Sequence, residues 1–232
     1  VLFAHCFSCG KDISAASRIA RSLTALGFGV LRFDFTGIGR SEGDFGNAGF
    51  SSNVQDLIDA ASYLRDNHQA PSILMGHSLG GTAVLAAVDA IPEVKAVVTI
   101  GAPSTPSHLI AQFASKRDEI NATGSADVNL AGRTFTISRS FVDDLENQDL
   151  TSRIPNLRCA LLVFHAPLDG VVSINEATAI FGSARHPKSF VSLDGADHLL
   201  TNAADARYVA ETTAAWVRRY LSIKEEDSDK PP

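Results

Sequence analysis

The string Gly76-His77-Ser78-Leu79-Gly80-Gly81 places a serine between small residues, directly after the apolar run Ser72 to Met75 and directly before a stretch of helical period. A serine on a sharp strand-to-helix turn needs that room, because the backbone around it is pressed against its neighbours. Gly76 and Gly80 supply the space, and Gly81 and Ala83 let the helix approach a sheet. The chemistry this permits is nucleophilic attack on an acyl carbon. A serine hydroxyl is inert at neutral pH unless a base takes its proton, so a histidine oriented by a carboxylate must come from elsewhere in the chain.

Seven histidines are available. His77 lies inside the turn, His5 and His165 sit at strand ends, and His68, His108 and His186 are in polar, surface-like surroundings. His198, in L-D-G-A-D-H-L-L, follows the last strand on a loop. Catalytic groups in open α/β sheets gather at the carboxyl ends of strands, which is where this loop falls, so His198 is the expected base. Asp169, in F-H-A-P-L-D-G, follows the strand Cys159 to Phe164 and is the expected acid. Asp143, Asp144, Asp194 and Asp197 compete with it, although Asp197 is too near His198 in sequence to reach round to the ring nitrogen. An oxyanion needs fixed donors. The backbone N–H of Leu79 is one candidate and that of Phe7, in the turn His5-Cys6-Phe7 after the first strand, is the other.

Two further motifs compete for a chemical role. Cys6 and Cys9 form a C-x-x-C, a pattern that elsewhere marks redox chemistry or half a zinc site. No second pair or suitably spaced histidine accompanies it, so structural zinc is not expected. The plainer reading is two small residues packed near a tight turn, with oxidation of Cys6 expected to perturb the oxyanion donors. The glycine-rich loop Thr36 to Gly46 lacks the lysine of a phosphate-binding loop and does not match G-x-G-x-x-G. It is expected at the rim of the active-site pocket.

The elements that must position these residues alternate. Short β-branched or aromatic runs (Val1 to Ala4, Phe28 to Phe35, Ser72 to Gly76, Val94 to Gly101, Cys159 to Phe164, Lys188 to Leu193) are separated by stretches with apolar residues at helical spacing. The helices are expected from about Asp12 to Leu26, through the stripe Val54, Leu57, Ile58, Ala61 and Leu64 with Ser51 or Ser52 as cap, from Leu79 to Ala90, from Ser173 to Gly182 and from Ala204 to Leu221. That order is the signature of a mainly parallel sheet flanked by helices. Between Ala102 and Leu150 it breaks down into a helix near Ser107 to Ile120, a strand-Gly-strand pattern from Val128 to Ile137 and a short helix near Phe141 to Asn147. This stretch reads as a cap insertion, whose Phe113, Phe135, Ile137 and Phe141 are candidates either for an apolar acyl pocket or for a pure packing role.

The composition limits the partners. Twenty Lys plus Arg against 26 Asp plus Glu, a net charge of −6 over 232 residues, leaves no footprint for nucleic acid or anionic lipid. No apolar run is long enough to span a bilayer. Three cysteines do not read as a disulfide framework and favour a reducing, cytoplasmic setting. Residues 222–232 are acidic and end in Pro-Pro, as a tail or linker would.

These motifs resemble the α/β-hydrolase superfamily over residues 1–221. H-C-F is similar to its oxyanion turn, R-F-D-F-T-G-I-G-R-S-E-G to its D-x-x-G-x-G-x-S loop and G-H-S-L-G-G to its nucleophile elbow. Cys6 stands where glycine is usual, and the chain opens at what would be the third strand, without the N-terminal hairpin. L-F-A-H-C-F-S-C-G-K-D, I-G-A-P, H-A-P-L-D and H-P-K-S-F-V-S-L-D-G-A-D-H-L-L together resemble the hydrolase half of bifunctional proteins in which a peroxide-reducing, OsmC-like domain follows. The resemblance implies roles for Ser78, Asp169 and His198 and a partner domain beyond the tail. The expected activity is that of a serine carboxylesterase on short- to medium-chain esters, needing no cofactor or metal. Perhydrolase, haloperoxidase-like, thioesterase or acyltransferase chemistry on the same residues are the alternatives, with a non-catalytic module serving the OsmC-like domain as the reading from another class.

Overall fold

The computed structural model describes residues 1–7, 9–44, 48–130 and 133–221. The expected tail, residues 222–232, lies outside them. Six strands form one parallel sheet: β1 (Leu2–Ala4), β2 (Leu31–Arg32), β3 (Ile73–His77), β4 (Ala96–Ile100), β7 (Ala160–His165) and β8 (Lys188–Ser192), in the order β2-β1-β3-β4-β7-β8. The central strands are mostly apolar because both faces are covered. Ile73, Met75, Ala96, Val98, Ile100, Leu162 and Phe164 face a layer containing α1 (Ser14–Ala25) and α7 (Ala203–Leu221). Leu74, Val97, Leu161 and Val163 face the opposite layer, which holds α2 (Phe50–Asn67), α3 (Leu79–Ala87) and α6 (Ile174–Ser183). Alternating side chains therefore feed two cores from each strand.

Strand β2 is much shorter than the run Phe28 to Phe35. It pairs only with β1, through Leu2 with Leu31 and Phe3 with Arg32, and β1 is itself three residues long. The rest of the run does other work. Asp34 accepts hydrogen bonds from the backbone N–H groups of Lys11 (2.7 Å) and Arg40 (3.1 Å), and Phe35 N–H donates to His5 Nε2 at 3.2 Å.

Between β4 and β7 the chain runs through a 3₁₀ stretch (Pro106–Lys116), α4 (Arg117–Thr123), a hairpin of β5 (Ser125–Leu130) and β6 (Arg133–Ser138), and α5 (Arg139–Glu146). The single helix expected over Ser107 to Ile120 is broken at Phe113 (φ −129°, ψ 24°), whose ring is buried in the core. Phe135, Ile137 and Phe141 are buried as well. Phe7 packs against Phe135 and Phe141 with ring centroids 6.3 and 5.7 Å apart. The start of α2 differs from expectation too. Neither Ser51 nor Ser52 caps it; its N-cap is Gly49, and Asp144 of α5 accepts from Ser51 N–H at 2.8 Å and from the Ser51 hydroxyl. A carboxylate at a helix N-terminus satisfies an orphan donor and suits the helix dipole. It also fastens α5 to α2.

Candidate active site

Ser78 sits between β3 and α3 at φ 54°, ψ −128°, a region that a non-glycine residue occupies only when the surroundings force it. The forcing contacts are visible. Ser78 N–H donates to the Ile100 carbonyl at 2.8 Å, and Gly81 N–H to the Ser78 carbonyl at 2.8 Å. A Cβ on Gly80 would overlap the carbonyls of Ala4 and His5, so the first turn of α3 lies directly against the end of β1.

The structure brings Ser78, Asp169 and His198 together. His198 Nε2 lies 3.0 Å from Ser78 Oγ, and His198 Nδ1 lies 2.8 Å from Asp169 Oδ2. Asp169 Oδ1 accepts from the N–H groups of Val171 (2.8 Å) and Val172 (2.9 Å). Its side chain is 1% exposed. Burial alone would push its pKa up; the hydrogen bonds from His198, Val172 and Val171 outweigh that and hold it below the usual carboxylate range. Three of the four competing carboxylates are engaged elsewhere: Asp144 at α2, Asp194 with Ser192, and Asp197 with Thr201. Gly101, the residue after β4, sits at φ 54°, a left-handed conformation that favours glycine, beside Asp169 and His198.

A cavity of about 670 Å³ opens onto Ser78 and His198. Phe7, Leu79, Pro103, Leu109, Val172 and Leu199 line it, together with Cys6, Cys9 and His108. Two sequence-based expectations fail here. The expected acyl-pocket residues Phe113, Phe135, Ile137 and Phe141 do not line this cavity, because their rings and side chains are consumed in the core. No residue of Thr36–Asp44 lines it either; Asp34 and Asp56 draw that loop back through Arg40, Thr36 and Ser41. His108, expected in surface-like surroundings, is partly exposed and also forms part of the wall.

The cysteines also depart from expectation. Cys6 and Cys9 form a disulfide with Cα atoms 5.3 Å apart, so they are not merely two packed small residues, and the cysteine count loses its force as a sign of a reducing compartment. Phe7 lies between them. The Cys6 carbonyl accepts from His5 Nδ1 at 2.7 Å and from Cys9 N–H at 3.2 Å. A trans peptide points the following N–H away from its carbonyl, so fixing the Cys6 oxygen also fixes the direction of Phe7 N–H.

Three histidines were not singled out by the sequence reading. His5 has just been described. His77 donates from Nε2 to the His198 carbonyl at 2.7 Å, and burial followed by the neighbouring His198 lowers its pKa to about 4. His165 Nε2 binds the Val172 carbonyl at 2.8 Å and steadies the loop after β7. Their positions at strand ends beside the expected site were the available signal.

The family model described as serine aminopeptidase, S33, matches residues 1–120. The chain belongs to this α/β-hydrolase family. The solved esterase domain of a Rhodothermus marinus protein is 45% identical, with a TM-score of 0.75 over 95% of this chain and 86% of that one. The rat palmitoyl-protein thioesterase ABHD10, mitochondrial, is 27% identical over 84% of this chain. The chain spans 66% of the rat protein's length and 62% of the mouse protein's. The Butyrivibrio proteoclasticus protein Est1E, solved with ferulic acid, shares the fold at a TM-score of 0.80 and 16% identity. The chain is thus a hydrolase by family. Among the described residues of this hydrolase, no helix is long and apolar enough to cross a membrane, and no His/Cys/Asp/Glu cluster is suited to a metal ion.

Proposed function

We propose that this hydrolase is a serine carboxylesterase acting on short- to medium-chain esters. The observation that carries the reading is the continuous hydrogen-bonded line from Ser78 Oγ through His198 to Asp169, ending at a cavity of about 670 Å³. Ser78 Oγ attacks the ester carbonyl while His198 Nε2 takes its proton. Asp169 holds the ring in the Nδ1–H form and stabilises the imidazolium. The N–H groups of Phe7 and Leu79 receive the oxyanion, and fixed donors do so without reorganising. His198 returns the proton to the leaving alcohol, giving an acyl-Ser78 that water then cleaves by the same steps in reverse order. The stretch Ala102–Leu150 serves as a cap, contributing Pro103, His108 and Leu109 to the cavity. An OsmC-like domain beyond residue 221 belongs to the same proposal, supported by sequence motifs alone.

Thioester cleavage is the second reading, favoured by the ABHD10 relatives, whose names record a palmitoyl-protein thioesterase. The same groups would act, with a thiolate leaving in place of an alkoxide.

The test is fluorophosphonate labelling of Ser78 alongside hydrolysis of a nitrophenyl ester series and of matched thioesters. Labelling and turnover of the short esters are expected, and Ser78→Ala should lower turnover by a factor on the order of a million. A folded wild-type chain that neither labels nor turns over any substrate would return the non-catalytic module as the better reading. Thioesters cleaved far faster than their oxygen counterparts would select the second reading.

A further inference from the structure

Cys6 and Cys9 are not remote from the chemistry. Both line the cavity that opens onto Ser78 and His198, and they bracket Phe7. Their accessibilities differ: Cys6 is 4% exposed, whereas Cys9 is only half-buried. An entering thiolate therefore meets Cys9 first, with Cys6 as the leaving sulfur. The chain on either side of the bridge is held by other bonds. Upstream, β1 is paired on both edges and His5 Nδ1 binds the Cys6 carbonyl; downstream, Lys11 N–H binds Asp34 at 2.7 Å. Opening the bridge thus needs no unfolding.

We propose that the Cys6–Cys9 disulfide is a thiol-exchange site in the wall of the hydrolytic cavity, where a small aliphatic thiol of the glutathione class adds to Cys9 and obstructs Ser78. The thiolate attacks Cys9 Sγ, forming a new sulfur–sulfur bond as the bond to Cys6 breaks. The electron pair leaves on Cys6 Sγ, which takes a proton from solvent. Attack by Cys6 on the Cys9 mixed disulfide reverses the step and expels the thiol. Attack by a second thiolate on the outer sulfur instead releases Cys9 and a symmetrical disulfide, so two thiols are oxidised and the pair is reduced by two electrons. While the mixed disulfide persists, the added group occupies space that an acyl or alcohol group needs.

The remaining cysteine supplies an internal control. Cys159 is free, and burial, followed by the charge of Asp89, pushes its thiol up to about 11, which keeps it protonated and unreactive near neutral pH.

The experiment exposes the folded chain to glutathione buffers running from oxidising to reducing, quenches with acid, alkylates free thiols and maps the peptides by mass spectrometry. A glutathionyl group on Cys9, free Cys6 and unmodified Cys159 are expected. A bridge that stays closed until denaturant is added, or a glutathionyl group on Cys6, overturns the proposal. A parallel readout is the rate at which a fluorophosphonate labels Ser78. It is expected to fall by about tenfold or more in the Cys9-modified fraction and to recover once the group is removed. An unchanged rate at full modification overturns the obstruction. In Cys9→Ser the dependence of labelling on glutathione should vanish. If that variant fails to fold, the wild-type peptide map decides alone. The map does not involve Ser78 reactivity, so failure of the esterase reading and failure of thiol exchange are separate results.

Discussion

The rings of His77 and His198 lie against each other, tilted by 36° with centroids 5.2 Å apart, and His77 Nε2 donates to the His198 carbonyl at 2.7 Å. The residue preceding the serine thus holds the loop that carries the base. His77 must be neutral to do so without placing a second cation beside His198, and burial, with a smaller push from His198, lowers its pKa from 6.5 to about 4. The unfolded chain then binds more protons than the folded one between those two values. Stability from this source is complete above pH 6.5 and declines as pH falls toward 4, by up to roughly 3 kcal/mol. Urea unfolding at a series of pH values should show that slope. His77→Phe should flatten it and also slow Ser78 labelling, since the His198 carbonyl loses its donor. An unaltered slope in the variant would remove His77 as its source.

Ser78 occupies positive φ at a cost that glycine does not incur. Ser78→Gly is therefore expected to abolish labelling and turnover while raising stability by ~1–2 kcal/mol. The measurement is thermal or urea unfolding of wild type, Ser78→Ala and Ser78→Gly side by side. The glycine variant should be more stable than the alanine one, which retains the strained backbone. Equal stabilities would mean that the turn stores no such strain.

Much of this candidate site was readable from residue types because each residue of the Ser78–His198–Asp169 line follows a strand. Ser78 follows β3, Asp169 follows β7 and His198 follows β8, and strand runs are the clearest pattern in the chain. What escaped was decided by contacts that no local pattern records. The run Phe28 to Phe35 looks like a long strand, yet its partner β1 is short and its later residues are diverted to His5, Lys11 and Arg40. For the phenylalanines of the Ala102–Leu150 stretch, pocket lining and core packing were equally compatible with the sequence, because apolar composition cannot separate a ring that lines a cavity from one that fills a core; the structure selects packing. His108 is partly exposed, as its polar neighbours suggested, but those neighbours said nothing about the cavity across from it. The disulfide needed the turn after β1 to bring Cys9 back toward Cys6, which spacing alone permits without requiring.

Asp169→Asn tests whether the acid acts through its charge or through its shape. The Asn oxygen can still accept from Val171 and Val172, but its amide would face His198 Nδ1 and favour the wrong tautomer. Turnover is expected to drop about ten-thousand-fold, with a much smaller loss of stability. The pKa of Asp169 is held below 3.8, so its contribution to stability is fully present above pH 3.8 and is lost only as pH falls through the lower folded value. The stability difference between wild type and variant, followed by acid unfolding, should therefore be constant above pH 3.8 and shrink only in that low range. A variant with near-wild-type turnover would exclude Asp169 as the orienting acid and reopen the choice among carboxylates.

The remaining prediction concerns the oxyanion donor proposed at Phe7, whose backbone cannot be altered by changing its side chain. His5 offers an indirect route. It is 1% exposed, its Nδ1–H holds the Cys6 carbonyl, its Nε2 accepts from Phe35, and its ring packs edge-on against Phe35 at 4.8 Å. His5→Phe retains the apolar packing and removes both hydrogen bonds. The Cys6–Phe7 peptide then loses one of the two bonds on its carbonyl, keeping that from Cys9. Oxyanion donors act as charge develops and contribute little to binding the neutral ester, so their loosening should appear in kcat. A fall in kcat of about tenfold with KM nearly unchanged is expected, smaller than the loss on deleting such a donor outright. Thermal unfolding of the same variant shows how much of the loss is general destabilisation. If KM rises while kcat holds, the turn after β1 contributes to substrate binding rather than to the oxyanion, and the second donor must be sought elsewhere.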